Sequence, residues 1–137
     1  MIEKKIDTLG KIAMELAVYS DIDRSSTIYQ NLINSGESNI LKNRDILVQI
    51  QKLEEAYIFV NRIEKIHFEI IKDILPELYK SMKFYDMSVR EPEELFGIDF
   101  QNYFISSIAV SKKKEYAYGL AIKKIEMITK LIEEEIK

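Results

Sequence analysis

Residues 43–73 read NRDILVQIQKLEEAYIFVNRIEKIHFEIIKD, a run with no glycine and no proline. Ile46, Ile50, Leu53, Tyr57 and Val60 step by four and three, and Ile71 and Ile74 resume the same register. That repeat is one face of an α-helix. The spacing predicts a helix over about 43–73, roughly 30 residues and hence ~45 Å long. A compact globule of this chain length has a radius of gyration near ~14 Å. The helix is longer than such a sphere is wide, so an elongated bundle is expected around it.

Toward the N-terminus, Ile2, Ile6, Leu9, Ala13 and Leu16 carry another helical stripe, which predicts a helix over 2–19. Gly10 inside it costs ~1 kcal/mol against alanine, which a long stripe can carry. Residues 20–26, SDIDRSS, are dense in side chains that accept hydrogen bonds from helix N–H groups, so a break is expected there. A second helix runs through Ile28, Leu32 and Ile33, and Gly36 stands where a left-handed residue ends a helix.

Toward the C-terminus, Pro76 lacks the N–H that a helical turn needs and predicts an end or a kink, with a shorter helix continuing to Tyr85. Residues 86–99 form the irregular stretch long enough for a functional loop. Within it, 91–97 places Pro92 at a first helical position, acids after it and Gly97 past the end, which predicts one helical turn. Asp99 then caps a helical region reaching Ile136. The apolar stripe loses register at Ser111, Lys112, Lys113 and Lys114, so this helix reads as either continuous or broken there. No segment alternates for long enough to be a strand. The expected fold is all-α, a single domain over 1–137 with four to six helices, a long central helix and a long C-terminal one.

Composition narrows the chemistry. The 137 residues contain no cysteine, which excludes disulfides and thiolate-bound metals. The single histidine, His67, excludes zinc sites built on two or three histidines. Twenty basic residues against 23 acidic give a net charge of −3, which argues against a general phosphate-binding surface. No phosphate-binding glycine loop, nucleophile elbow or dinucleotide fingerprint is present, and no cofactor is expected. There is no 18-residue uncharged run and no apolar N-terminal stretch, so the expectation is a cytoplasmic protein without a membrane segment. Isoleucine and lysine richness fits AT-rich coding, as in a low-GC bacterium, a phage or an archaeon.

His67 is where candidate chemistry concentrates. On a helical wheel started at Asn61, the polar residues fall between about 0° and 120° and the apolar ones between about 140° and 340°. His67 lies near 240° and Glu64 near 300°, so both are expected to face inward on neighbouring turns. The preferred reading is a buried pair that satisfies itself by a hydrogen bond and fixes helix register. Glu64 and His67 also form the Glu-x-x-His pair used in di-iron carboxylate bundles, a donor set suited to iron or manganese. The other carboxylates such a site needs, Glu15, Glu115 and Glu126, have no clear inward placement, so no metal is expected.

Arg62 and His67 together resemble the Arg-x4-His motif of HEPN-type ribonucleases, which are small helical proteins. The resemblance implies Arg62 stabilising a scissile phosphate and His67 acting in acid–base chemistry on a ribose 2′-OH. It covers six residues. Ile63 follows Arg62 where that family prefers a polar residue, and the two side chains diverge by about 140° on an ideal helix.

Nine of the 14 aromatic residues lie between positions 79 and 118. They either pack the 86–99 loop onto the helices or form a partner surface, because tyrosine is enriched where one end of a side chain is apolar and the other wet. Tyr85, Phe96, Tyr103, Lys112, Lys113, Lys114 and Tyr116 are the candidate partner-binding residues. The favoured function is a non-enzymatic helical protein that binds another macromolecule: an accessory subunit, an inhibitor or an immunity-type protein. A protein partner or a homo-oligomer is the first expectation. The alternatives are a HEPN-like ribonuclease using Arg62 and His67, and a small helical subunit of a nucleic-acid complex using the lysine run beside the aromatics.

Overall fold

A computed structural model describes residues 1–21, 24, 27–37 and 43–137. Among these residues the chain forms four α-helices: α1 (Ile2–Glu15), α2 (Ile28–Ser35), α3 (Arg44–Ser81) and α4 (Ile98–Glu135). Between α3 and α4 lie two short antiparallel strands, β1 (Met82–Lys83) and β2 (Ser88–Val89), and a 3-10 turn (Glu94–Phe96). The fold is all-α with a long central and a long C-terminal helix, as the periodicity predicts.

The chain divides into two compact units. One comprises Met1–Asp21 and Glu64–Lys112, the other Ile22–Ile63 and Lys113–Lys137. In the first, Ala13, Ile74, Leu78, Met82, Leu95, Phe100 and Tyr103 form the core, with Ile6, Leu9, Val89 and Phe104 packed against it. In the second, Leu53, Ala56 and Ala121 pack together with Tyr57 and Ile128. Glu54, buried on α3, accepts the Tyr29 N–H in the first turn of α2. That supplies one of the four donors a helix start leaves unpaired, with negative charge where the dipole favours it. Gly36 ends α2 at φ 73°, the left-handed geometry that glycine adopts without strain.

Three boundaries differ from the sequence expectation. The break expected over 20–26 falls partly on positions outside the described residues. Before it, α1 stops at Glu15 rather than Tyr19. There the Leu16 N–H still reaches Ile12 O, but the Ala17 N–H turns to Met14 O. Pro76 does not end α3. Pro76 and Lys72, whose carbonyl loses its helical donor, are both exposed, while Ile74 and Leu78 on the other face are buried in the core. Packing of that face carries the helix across a residue worth ~3 kcal/mol against it.

The shorter helix expected to reach Tyr85 is a hairpin instead. Met82 pairs with Val89 and Lys83 with Ser88 around a four-residue turn. Of the two readings left open for α4, the continuous one holds: the helix is unbroken at 111–114. Its inward face runs Phe100, Tyr103, Ser107, Val110, Ala117 and Ala121, with Lys114 half-buried on the same face. Small residues and a lysine stem keep the three-and-four spacing where large apolar residues are missing.

Candidate functional site

The end of α1 explains what the lone histidine does. A helix leaves its last four carbonyls without helical partners. Because Ala17 N–H bonds Met14, the Ala13 carbonyl is left over, and the Tyr103 hydroxyl donates to it at 2.7 Å. One turn further, His67 Nε2 lies 2.7 Å from Leu16 O. A carbonyl only accepts, so Nε2 carries the proton and donates. Glu64 Oε2 accepts the Ser20 N–H at 3.1 Å. Glu64 and His67 are both buried, His67 at 4% exposure, and both fill the gap in the α3 stripe between Ile63 and Ile71. They pin the segment that follows α1 to α3.

Burial and the Ser107 hydroxyl act in opposite directions on Tyr103. Burial dominates and pushes its phenol up to about 12. Tyr103, expected at a partner surface, is 3% exposed and belongs to the core, because its ring fills the space under α1 and its hydroxyl serves α1. Arg62, the other half of the ribonuclease-like spacing, is exposed and lies with its guanidinium 5.3 Å from the centre of the Phe59 ring. That is a cation–π contact on the surface of the second unit. Among the described residues, no group of three or more His, Asp or Glu side chains comes together in a way that could hold a metal ion.

Of the nine aromatics of 79–118, Tyr118 is half-buried with its ring centre 4.8 Å from the Arg24 guanidinium, and the other eight divide into two sets. Phe100, Tyr103 and Phe104 turn inward and meet one another at ring separations of 5.7–6.4 Å. Tyr79, Phe84, Tyr85, Phe96 and Tyr116 remain on the outside. Tyr79 and Phe84 pack ring to ring at 5.0 Å at the base of the hairpin, and Tyr85 stands 85% exposed in its turn.

The turn itself is firmly made. Asp86 Oδ1 accepts the Ser88 N–H at 2.9 Å and the Ser88 hydroxyl at 2.6 Å, and these two bonds hold the Asp86 carboxyl below its ordinary range. The Ser81 carbonyl accepts the Arg90 N–H at 2.7 Å, and the Val89 N–H donates to Asp7 on α1. Met87 adopts φ 59°, a left-handed conformation in a residue that is not glycine.

The hairpin fits closely under α1. A Cβ on Gly10 would stand 2.6 Å from Val89 Cγ2 and 2.9 Å from Met82 Cε, so only glycine allows this approach. The candidate partner residues include Tyr85 and Phe96; Tyr79 and Phe84 belong to the same aromatic cluster of 79–118 without being among those candidates, and Met87 has no signal of its own in the sequence. The Asp86-x-Ser88 turn chemistry was the available signal. Lys112 and Lys113 are exposed and Lys114 is half-buried on α4. Tyr116 is exposed and packs edge-on to Phe59 at 6.3 Å in the second unit. Among the described residues, no helix is long and apolar enough to cross a membrane. No protein-family model, curated protein or solved structure matches the chain.

Proposed function

We propose that the chain is a non-enzymatic helical protein that binds another protein, as an accessory subunit, inhibitor or immunity-type protein does, through the tip of the β1–β2 hairpin. The observation that carries this reading is Tyr85, exposed at 85% on a hairpin pinned at its turn, its base and its flank. Tyrosine offers a large contact area with little rotamer entropy to lose, which is why it recurs among the residues that dominate interfaces. Phe84, Tyr79 and Met87 surround it with further apolar surface. Met87 holds a conformation worth ~1–2 kcal/mol against a side chain, and such strain gathers at functional positions.

The charges near the hairpin favour a protein over a nucleic acid as partner. Asp86, Glu91, Glu93 and Glu94 outnumber Lys83 and Arg90 there, and a nucleic-acid surface needs the reverse. The commitment of His67 to the Leu16 carbonyl supports a structural rather than a catalytic role for that ring.

The test is affinity capture from the native cell, with mass spectrometry and nucleic-acid sequencing of what co-purifies. It is run on the wild type beside a Phe84→Ser, Tyr85→Ala double variant. A stoichiometric protein partner that the variant retains about 10-fold less well supports the proposal. Equal retention by both, stoichiometric nucleic acid, or a clean chain with nothing bound would overturn it.

A further inference from the structure

Within the second unit, α3 and α4 leave a groove of about 360 Å³ lined by Ala56, Phe59 and Leu120 together with Lys52, Glu55 and Lys124. The apolar surface continues past it at both ends. Tyr116 packs edge-on to Phe59, and Val48 and Met127, 44% and 45% exposed, lie within about 20° of Phe59 and Leu120 around their helices. From Val48 to Phe59 this strip is ~16 Å long, about three helical turns. Its flanks are basic. Lys52 stands about 20° from Phe59 on α3, and the Arg62 guanidinium lies against the Phe59 ring. On α4, Lys113, Lys123 and Lys124 fall within about 60° of Leu120, whereas Glu115 and Glu126 are turned about 120–140° away. These five cations meet one acid along the strip, Glu55, in a chain of net charge −3. Among the described residues, neither Lys52 nor Lys124 stands in an ion pair.

We infer that this groove takes an amphipathic helix of a protein partner whose apolar stripe is flanked by aspartate and glutamate. An apolar strip about three turns long accepts the anchors that a helix presents at i, i+3, i+4 and i+7. The flanks name its charge. An acidic helix brings carboxylates to Lys52, Lys113, Lys123 and Lys124, whereas a basic one sets like against like. The aliphatic lining and the Glu55 carboxylate within it favour a helix over a nucleic-acid strand, which asks for stacking faces along an acid-free track. The groove is small and its lysines lie at a wet rim, so a single helix binds in the range of ~10–100 µM.

The groove shares no residue with the β1–β2 hairpin, so this inference and the hairpin proposal fail independently. The probe is a fluorescent helical peptide of about 14 residues with leucine at i, i+3, i+4 and i+7 and glutamate on both flanks. A matched peptide carries lysine in place of each glutamate, and a single-stranded oligonucleotide of about 12 nucleotides is the third ligand. Fluorescence anisotropy against the full chain, up to about 1 mM, is expected to show the acidic peptide binding about 10-fold or more tighter than its lysine counterpart. The Lys52→Glu, Lys124→Glu double variant is expected to weaken it about 10-fold with the helical circular dichroism unchanged, and Tyr85→Ala to leave it unchanged. Amide shift changes on the wild type, which need no variant to fold, are expected to gather in 48–62 and 113–127. No binding up to about 1 mM, equal binding of the two peptides, shift changes centred elsewhere, or tighter binding of the oligonucleotide would overturn the inference. So would a self-association in sedimentation equilibrium that Lys124→Glu abolishes, because the groove would then belong to a second copy of the chain.

Discussion

Replacing Tyr103 by phenylalanine removes one oxygen and leaves the ring where it packs, against Phe100 and Phe104. What it takes away is the donor to the Ala13 carbonyl, on a residue with no solvent exposure at all. A buried carbonyl stripped of its partner costs ~1–3 kcal/mol, so Tyr103→Phe is expected to lower stability by about 2 kcal/mol. For a chain of this length that is a fall of roughly 6–10 °C in Tm.

A second effect depends on pH. The folded-state phenol sits at about 12, above its ordinary value near 10. A raised value means that the fold favours the neutral form, so the stability this contributes is complete below pH 10 and is lost as pH rises from 10 toward 12. The shift corresponds to an upper bound of ~3 kcal/mol. Urea unfolding followed by far-UV circular dichroism, at pH 7 and in steps from pH 9 to about 11.5, measures both effects. The wild type is expected to lose stability in the alkaline range faster than the variant, closing the gap between them. The other tyrosines titrate in both proteins and cancel in the comparison. A difference under ~0.3 kcal/mol at pH 7, or parallel curves above pH 10, would refute the reasoning.

Two glycines in helices should respond to alanine with opposite signs. Gly10→Ala forces Val89 and Met82 aside. Val89 is branched and stiff, so a net loss of ~1–2 kcal/mol is expected after the gain in helix propensity. Gly119 has nothing within 4 Å of an added Cβ, so Gly119→Ala should stabilise by ~0.5–1 kcal/mol in the same unfolding assay. The lowered Asp86 carboxyl favours its charged form in the folded turn. Its support is therefore complete above its ordinary range and is lost as pH falls through the lower folded value. Amide exchange at Ser88 should rise across that acid range in the wild type, and Ser88→Ala should flatten the dependence.

The sequence makes some of this legible and hides the rest for physical reasons. The α3 face, the inward aim of Glu64 and His67, the glycine that ends α2 and the turn at 91–97 all follow from local rules of spacing and backbone geometry. The partners of those inward residues do not. Periodicity gives the face of a helix but not what lies across from it, so the bonds from His67 to Leu16 and from Tyr103 to Ala13, 51 and 90 residues apart, carry no local signature. The hairpin escaped because two pairs are too few for an alternating pattern, and because Pro76 drew attention to an ending that packing overrides. The continuity of α4 was obscured by Ser107, Lys114, Ala117 and Ala121, which face inward without being large. Gly10 looked like a tolerated cost; it is the point of closest approach between α1 and the hairpin. Among the candidate partner residues, Tyr103 and Tyr116 share one local composition and the register of α4 buries the first and exposes the second, while Tyr85 and Phe96 are exposed by the turns that carry them.

If the single histidine holds the fold and the proposed partner docks at the hairpin tip, one paired measurement separates the two roles. His67→Ala and the Phe84→Ser, Tyr85→Ala variant are each measured for unfolding free energy and for partner capture per folded molecule. Losing the buried bond to Leu16 should cost His67→Ala ~1–3 kcal/mol and leave capture intact. The hairpin variant should stay within about 1 kcal/mol of wild type and lose about 10-fold in capture. The crossed result, a histidine variant of full stability without its partner or an RNA-cleaving activity that vanishes with His67, would contradict the account.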